Sequence, residues 1–130
     1  MDSIYLINSD LPVISLRLAN ICAPRLAIGP IPTFYERLKK GLNCFCSETV
    51  RDFLDISDFL DLMDLVLSEK SLQGVFNVST GIGHSILEVY HEVCQYLSVD
   101  ADQDIKVIAP GEDDVAEVVL DGYRFHQLIL

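Results

Sequence analysis

The sequence predicts an α/β fold built on a largely parallel sheet, and three observations carry that prediction. Short runs rich in β-branched residues alternate with segments of helical periodicity. The run Val13-Ile14-Ser15-Leu16-Arg17-Leu18 is nearly all apolar, as in a strand covered on both faces. Three of the helical segments open on polar cap signals, which separates them from the strands before them.

In chain order, Met1 to Asn8 reads as the tail of a helix, with Ile4, Tyr5 and Ile7 apolar, and Ser9-Asp10-Leu11-Pro12 breaks it. Val13 to Leu18 is the first strand. Asn20 to Pro32 is a loop punctuated by Pro24, Gly29, Pro30 and Pro32. Thr33 caps a helix from Phe34 to Lys40, with Glu36 completing a capping box and Gly41 ending it. Cys44 to Cys46 is a short strand and Val50 to Ile56 a clearer one. Ser57 or Asp58 caps the next helix, through Glu69, whose inner face is Phe59, Leu60, Met63, Val66 and Leu67. Gly74 to Val78 is again a strand. Ser85-Ile86-Leu87-Glu88 is a capping box opening a helix to Leu97, with Ile86, Val89, Tyr90, Val93, Cys94 and Leu97 inward. After the acidic loop Asp100 to Asp104 come a strand at Ile105 to Ala109, a turn at Pro110-Gly111, an edge strand at Val115 to Leu120 and a helix from Tyr123 to Leu130. Both ends fall inside helical patterns, so the chain reads as cut at each end.

Half of the 130 residues are hydrophobic and 22% are charged, a balance that buries a real core rather than leaving the chain disordered. Acidic residues outnumber basic ones 20 to 9, for a net charge of −11, so a general field would repel nucleic acid. Any phosphate ligand has to be met by a local arginine. The four cysteines, Cys22, Cys44, Cys46 and Cys94, match no zinc spacing and have apolar neighbours, as reduced and partly buried thiols do. No basic leader precedes a long apolar run, and no stretch approaches the ~20 apolar residues of a membrane span. The expected location is the cytoplasm, without membrane contact.

Three segments carry the functional signal: Ser15-Leu16-Arg17-Leu18-Ala19-Asn20-Ile21-Cys22-Ala23-Pro24-Arg25, then Arg51-Asp52-Phe53-Leu54-Asp55-Ile56-Ser57-Asp58, then Gly74-Val75-Phe76-Asn77-Val78-Ser79-Thr80-Gly81. Read by residue type alone, Arg51 is either an ion-pair partner of Asp52 or Glu48 or an anion ligand, and Asn20 is a turn residue. In this order the three segments resemble the C-terminal half of the extended short-chain dehydrogenase/reductases, the NAD-dependent sugar-nucleotide epimerases and dehydratases. The resemblance covers most of the chain. It implies the C-terminal portion of a Rossmann-like parallel sheet plus a small substrate-binding α/β subdomain. Residues 1–30 and 72–97 would be remnants of the dinucleotide-binding sheet, and 31–71 and 98–130 mainly the nucleotide-sugar region.

The resemblance also implies roles. Arg51 would clamp the diphosphate of a nucleotide sugar, a task suited to a guanidinium fork. Asn20 would hydrogen-bond the nucleotide sugar, with Pro24 on the cofactor side. Cys22 and Ala23 stand where the family has an aromatic residue and glycine. Thr33, Phe34 and Phe45 fall where the base is cradled, although both phenylalanines also suit plain core packing. Asp114 falls near the ribose, but the arginine often found just ahead of it is missing, which leaves that task to Arg124 or another group. Asp55 and Asp58 read as stabilisers of a helix N-terminus rather than as an acid/base pair.

Two further patterns read as coincidences. Tyr35 and Lys39 have the spacing of the family's catalytic pair, but they follow the Arg17 to Asn20 strand instead of preceding it. Gly81-Ile82-Gly83 mimics a dinucleotide fingerprint, but Ile86 stands in place of its third glycine. His84, His91 and His126 share no metal-like spacing. The expectation is therefore no catalytic residue and no metal here. The chain reads as the nucleotide-sugar-binding portion of an isomerase or lyase whose NAD(P) it does not hold tightly, taking a UDP-, GDP- or dTDP-linked sugar and not turning it over alone. Unpaired strand edges would favour self-association. The alternative is a stand-alone truncated paralogue that binds a nucleotide sugar or a protein partner.

Overall fold

The computed structural model describes residues 12–129. In chain order the elements are β1 (Ile14–Leu18), β2 (Asn20–Cys22), α1 (Pro30–Lys39), β3 (Phe45–Ser47), β4 (Val50–Asp55), α2 (Ile56–Ser68), β5 (Gly74–Val78), β6 (Gly83–Ser85), α3 (Ile86–Leu97), β7 (Lys106–Ile108), β8 (Glu117–Val118) and α4 (Tyr123–Ile129). The helix expected at Met1 to Asn8 lies outside the described residues. Two units share these elements: residues 12–22, 52–82 and 119–129 form the first, and 23–51 and 83–118 the second. The division falls inside β4.

In the first unit β1 and β5 pair in parallel, from Ile14 opposite Gly74 to Leu18 opposite Val78. β2 pairs in parallel with the end of β4, Asn20 opposite Phe53 and Cys22 opposite Asp55. The core is Leu54, Leu62, Leu72, Phe76, Val78 and Phe125, with Ile14, Leu16, Phe59, Met63 and Val66 packed against it. Truncating a buried aromatic of this kind removes about 3–5 kcal/mol. Gly122 lets α4 approach β5: a Cβ there would stand 3.0 Å from Ser79 Oγ and 3.4 Å from the Asn77 carbonyl oxygen. Ser79 Oγ instead donates to the Leu120 carbonyl at 2.8 Å, and His126 Nε2 donates to the Ser79 carbonyl at 3.2 Å.

In the second unit β3 pairs with β7 and the start of β4 with β8, both in parallel. The capping box at Ser85 and Glu88 forms as the sequence predicts. Ile86, Val89, Tyr90, Val93 and Cys94 are buried along α3, as expected, with Leu97 half-buried. Phe34 meets Tyr90 edge-on at 5.5 Å, and the Tyr90 hydroxyl accepts from the Asp102 amide at 2.9 Å. Burial pushes the Tyr90 phenol up.

Several local expectations are corrected. Helix α1 begins at Pro30, before Thr33, because proline is preorganised for the first helical turn and has no N–H to orphan there. Gly29 is its N-cap, and the Thr33 hydroxyl donates back to the Gly29 carbonyl at 2.7 Å instead of capping. Asn20 opens a strand rather than a loop. Helix α2 is capped by Asp55, not by Ser57 or Asp58: the Asp55 carboxylate accepts from the Ser57 amide at 2.8 Å and from the Ser57 hydroxyl. Its inner face uses Leu62 in place of Leu60 and Leu67, which are 55% and 79% exposed. Strand β1 is half-buried and then exposed at Arg17 and Leu18, since β5 is its one partner among the described residues. The segment Gly83 to Ser85, ahead of α3, is the short strand β6.

Candidate functional site

Arg51 is the second residue of β4, in register with Val118 of β8. It is half-buried. Its Nη1 donates to the Val50 carbonyl at 2.8 Å and to the Ala116 carbonyl at 3.4 Å. Among the described residues these bonds restrain the side chain and leave most of its five donors unused. Neither Asp52 nor Glu48 pairs with it: the ion pairs among the described residues are Lys40–Glu36 at 3.7 Å and His84–Glu88 at 3.5 Å. Among the described residues, the guanidinium is therefore bound only to carbonyls and to no carboxylate.

The two phenylalanines near it in sequence separate clearly. Phe34 is 3% exposed and belongs to the core, whereas Phe45 is 58% exposed on β3. Strand alternation explains the second case: Cys46 turns inward and is fully buried, so Phe45 turns out, opposite Lys106 of β7. Thr33 is exposed, with its proton committed to Gly29 and its oxygen still able to accept. Pro24 lies in an exposed turn closed by the Leu26 amide on the Ala23 carbonyl at 3.3 Å, followed by Arg25 at φ 65°. Asp114 is exposed and closes its own turn, Oδ2 accepting from the Gly111 amide at 3.3 Å. Arg124 belongs to the first unit, its guanidinium stacked 4.8 Å from the Phe76 ring centroid and donating to the Val75 carbonyl at 3.5 Å.

Pro24, Thr33, Phe45, Arg51 and Asp114 thus share the second unit, and Asn20 belongs to the first. Asn20 sits just past the carboxyl end of β1, where parallel sheets present ligand-binding groups. It is exposed, and its carboxamide makes no hydrogen bond among the described residues. Tyr35 and Lys39 lie on α1, Lys39 Nζ donating to the Tyr35 hydroxyl at 3.4 Å and lying 5.1 Å from its ring centroid. No group of three metal-ligating side chains occurs among the described residues. No described helix is long and apolar enough to cross a membrane.

Sequence reasoning missed Asp52. It is 2% exposed, and its carboxylate accepts three hydrogen bonds: from the Thr80 amide at 3.1 Å, the Thr80 hydroxyl at 2.6 Å and the Gly81 amide at 2.7 Å. A signal existed. Asp52 and Leu54 share one face of β4, so a carboxylate stands at a core position and needs donors. The polar turn Ser79-Thr80-Gly81 is where they come from.

No family model matches the chain. The chain is 28% identical to "Probable UDP-arabinose 4-epimerase 3" of Arabidopsis thaliana over 140 residues, 88% of this chain and 34% of that protein. Its fold matches the Bordetella bronchiseptica enzyme WbmG, solved in complex with NAD and UDP, at 57% identity and a TM-score of 0.90, covering 98% of this chain and 41% of WbmG. It matches Thermus thermophilus UDP-glucose 4-epimerase, solved with NAD, at 26% identity and a TM-score of 0.78, covering 97% of this chain and 43% of the enzyme. The chain therefore spans well under half the length of these proteins. Its three segments, their order and the parallel α/β fold match the C-terminal part of the extended short-chain dehydrogenase/reductases of the sugar-nucleotide epimerase/dehydratase family.

Proposed function

We propose that this chain is the nucleotide-sugar-binding portion of an NAD-dependent sugar-nucleotide epimerase or dehydratase. The observation that carries the reading is Arg51, a half-buried guanidinium anchored on two carbonyls with no carboxylate partner. In this reading Arg51 holds the diphosphate, exposed Phe45 meets the base, and Thr33 and Asp114 accept from base or ribose. Asn20 contacts the sugar from the end of β1, and Pro24 faces the cofactor. The UDP in the WbmG complex, at 57% identity, favours a uridine nucleotide over the GDP- and dTDP-linked classes.

NAD would supply the hydride chemistry. The residues here do not fit it well by themselves. The Gly81-Ile82-Gly83 stretch is not a free phosphate cradle, because the Gly81 amide is spent on Asp52. The reading is therefore binding without turnover by these 130 residues. The exposed β1, with Leu18 at 41% exposure, favours self-association when no further strand covers it.

Thermal unfolding with UDP-, GDP- and dTDP-sugars, without NAD, tests the proposal. A UDP-sugar at about 100 times its Kd adds about 2.7 kcal/mol to the native state. That should raise the Tm by several degrees, and the Arg51→Ala variant should lose the shift. No shift with any nucleotide sugar would reject the reading.

A further inference from the structure

Asp52 has no part in the proposed ligand contacts, yet it is among the most buried side chains of the molecule. A carboxylate in that position is normally expensive, and here both oxygens are satisfied by one short turn. The turn is itself closed, since the Thr80 hydroxyl accepts from the Ile82 amide at 3.1 Å. Gly81 adopts φ 74°, which aims its N–H at the carboxylate and favours glycine there. Asp52 is therefore not a generic buried polar group. It ties β4 to the end of β5 through one side chain.

Arg51 is the preceding residue of the same strand, so its side chain leaves the opposite face. Whatever fixes the roll and register of β4 at Asp52 fixes the direction in which the Arg51 guanidinium is presented. We propose that Asp52, with Thr80, is a positioning residue for the phosphate-binding role of Arg51. The inference rests on the reading of Arg51 as a diphosphate ligand. Bidentate phosphate recognition is intolerant of small displacements, and a shift of about 1 Å is enough to lose it.

The test compares UDP with uridine, because uridine retains the base and ribose and lacks the phosphates. Asp52→Asn turns one oxygen into a donor facing another donor, and should weaken UDP about tenfold while leaving uridine affinity unchanged. Thr80→Val removes one of the three bonds and should weaken UDP by about threefold, with Thr80→Ser restoring it. In an Arg51→Ala background neither change should matter. Thr80→Val keeps the test decisive if Asp52→Asn does not fold. Parallel losses of UDP and uridine, or a Thr80→Val variant with unaltered UDP affinity, would overturn the positioning role alone. Arg51→Ala without effect on UDP would overturn the diphosphate reading as well.

Discussion

The first unit packs its elements around one apolar cluster, while the second, which buries Phe34, Cys46 and Tyr90, leaves two of its strands and Phe45 exposed. Leu54, Leu62, Leu72, Phe76, Val78 and Phe125 are all buried in the first. In the second, β7 and β8 are exposed throughout, and Phe45 shows more than half its surface. Candidate ligand groups concentrate in the unit whose strands are not used up by packing. The contrast teaches that burial and hydrogen-bond saturation mark the scaffold, whereas the proposed site is built on an incompletely bonded arginine and an exposed aromatic.

The strongest way to break the contrast is to truncate one aromatic in each unit. Phe76→Ala should remove about 3–5 kcal/mol of stability. Phe45→Ala should change stability by less than about 0.5 kcal/mol and act on UDP binding instead. Urea unfolding and a UDP titration of both variants check this, and equal stability losses would erase the distinction. Next in size is Gly122→Ala. Its Cβ would meet Ser79 Oγ at 3.0 Å and the Asn77 carbonyl oxygen at 3.4 Å, so these neighbours must give, at about 1–3 kcal/mol. An unchanged thermal midpoint would show that this approach is slack. Ser85→Ala, which removes the capping box of α3, should lose about 1 kcal/mol and leave UDP binding intact.

Two smaller effects follow from titration. Burial pushes the Cys46 and Cys44 thiols up, with Arg37 opposing the rise at Cys44. Both should be protonated at pH 7 and react slowly with iodoacetamide in the native protein, and rapid labelling would contradict their placement. The Ser57 hydroxyl, and then the Ser57 amide, hold exposed Asp55 below the ordinary carboxylate range. A pKa lowered by folding means a contribution fully present above the unfolded value of about 4 and lost as pH falls through the folded one. Acid should therefore weaken the wild type more than Asp55→Asn, as a comparison of urea midpoints at pH 6 and pH 3 would show.

Much of this was legible in the sequence, for local reasons. The Gly74 to Val78 strand matches residue for residue, and the Ser85 capping box announces α3, because both signals are short-range. Helix α1 was misplaced because Pro30 and Pro32 read as loop punctuation, although proline suits a helix start. In α2 the choice between Leu60 and Leu62 depends on which side the sheet lies, and periodicity alone does not fix that. The family segments pointed to Arg51 and Asn20. They did not show that Arg51 lacks a carboxylate partner or that Asp52 is the buried tie to Thr80 and Gly81, 28 and 29 residues away. Such pairings are long-range and leave no periodic trace.

The most direct test of the central claim is a calorimetric titration of UDP into the purified chain and into its Arg51→Ala variant, without NAD. Saturable binding to the wild type, weakened about 10- to 100-fold in the variant as expected for loss of a charged hydrogen-bonding group, is the predicted result. No binding by a folded wild type, or equal affinity in the two proteins, would contradict it.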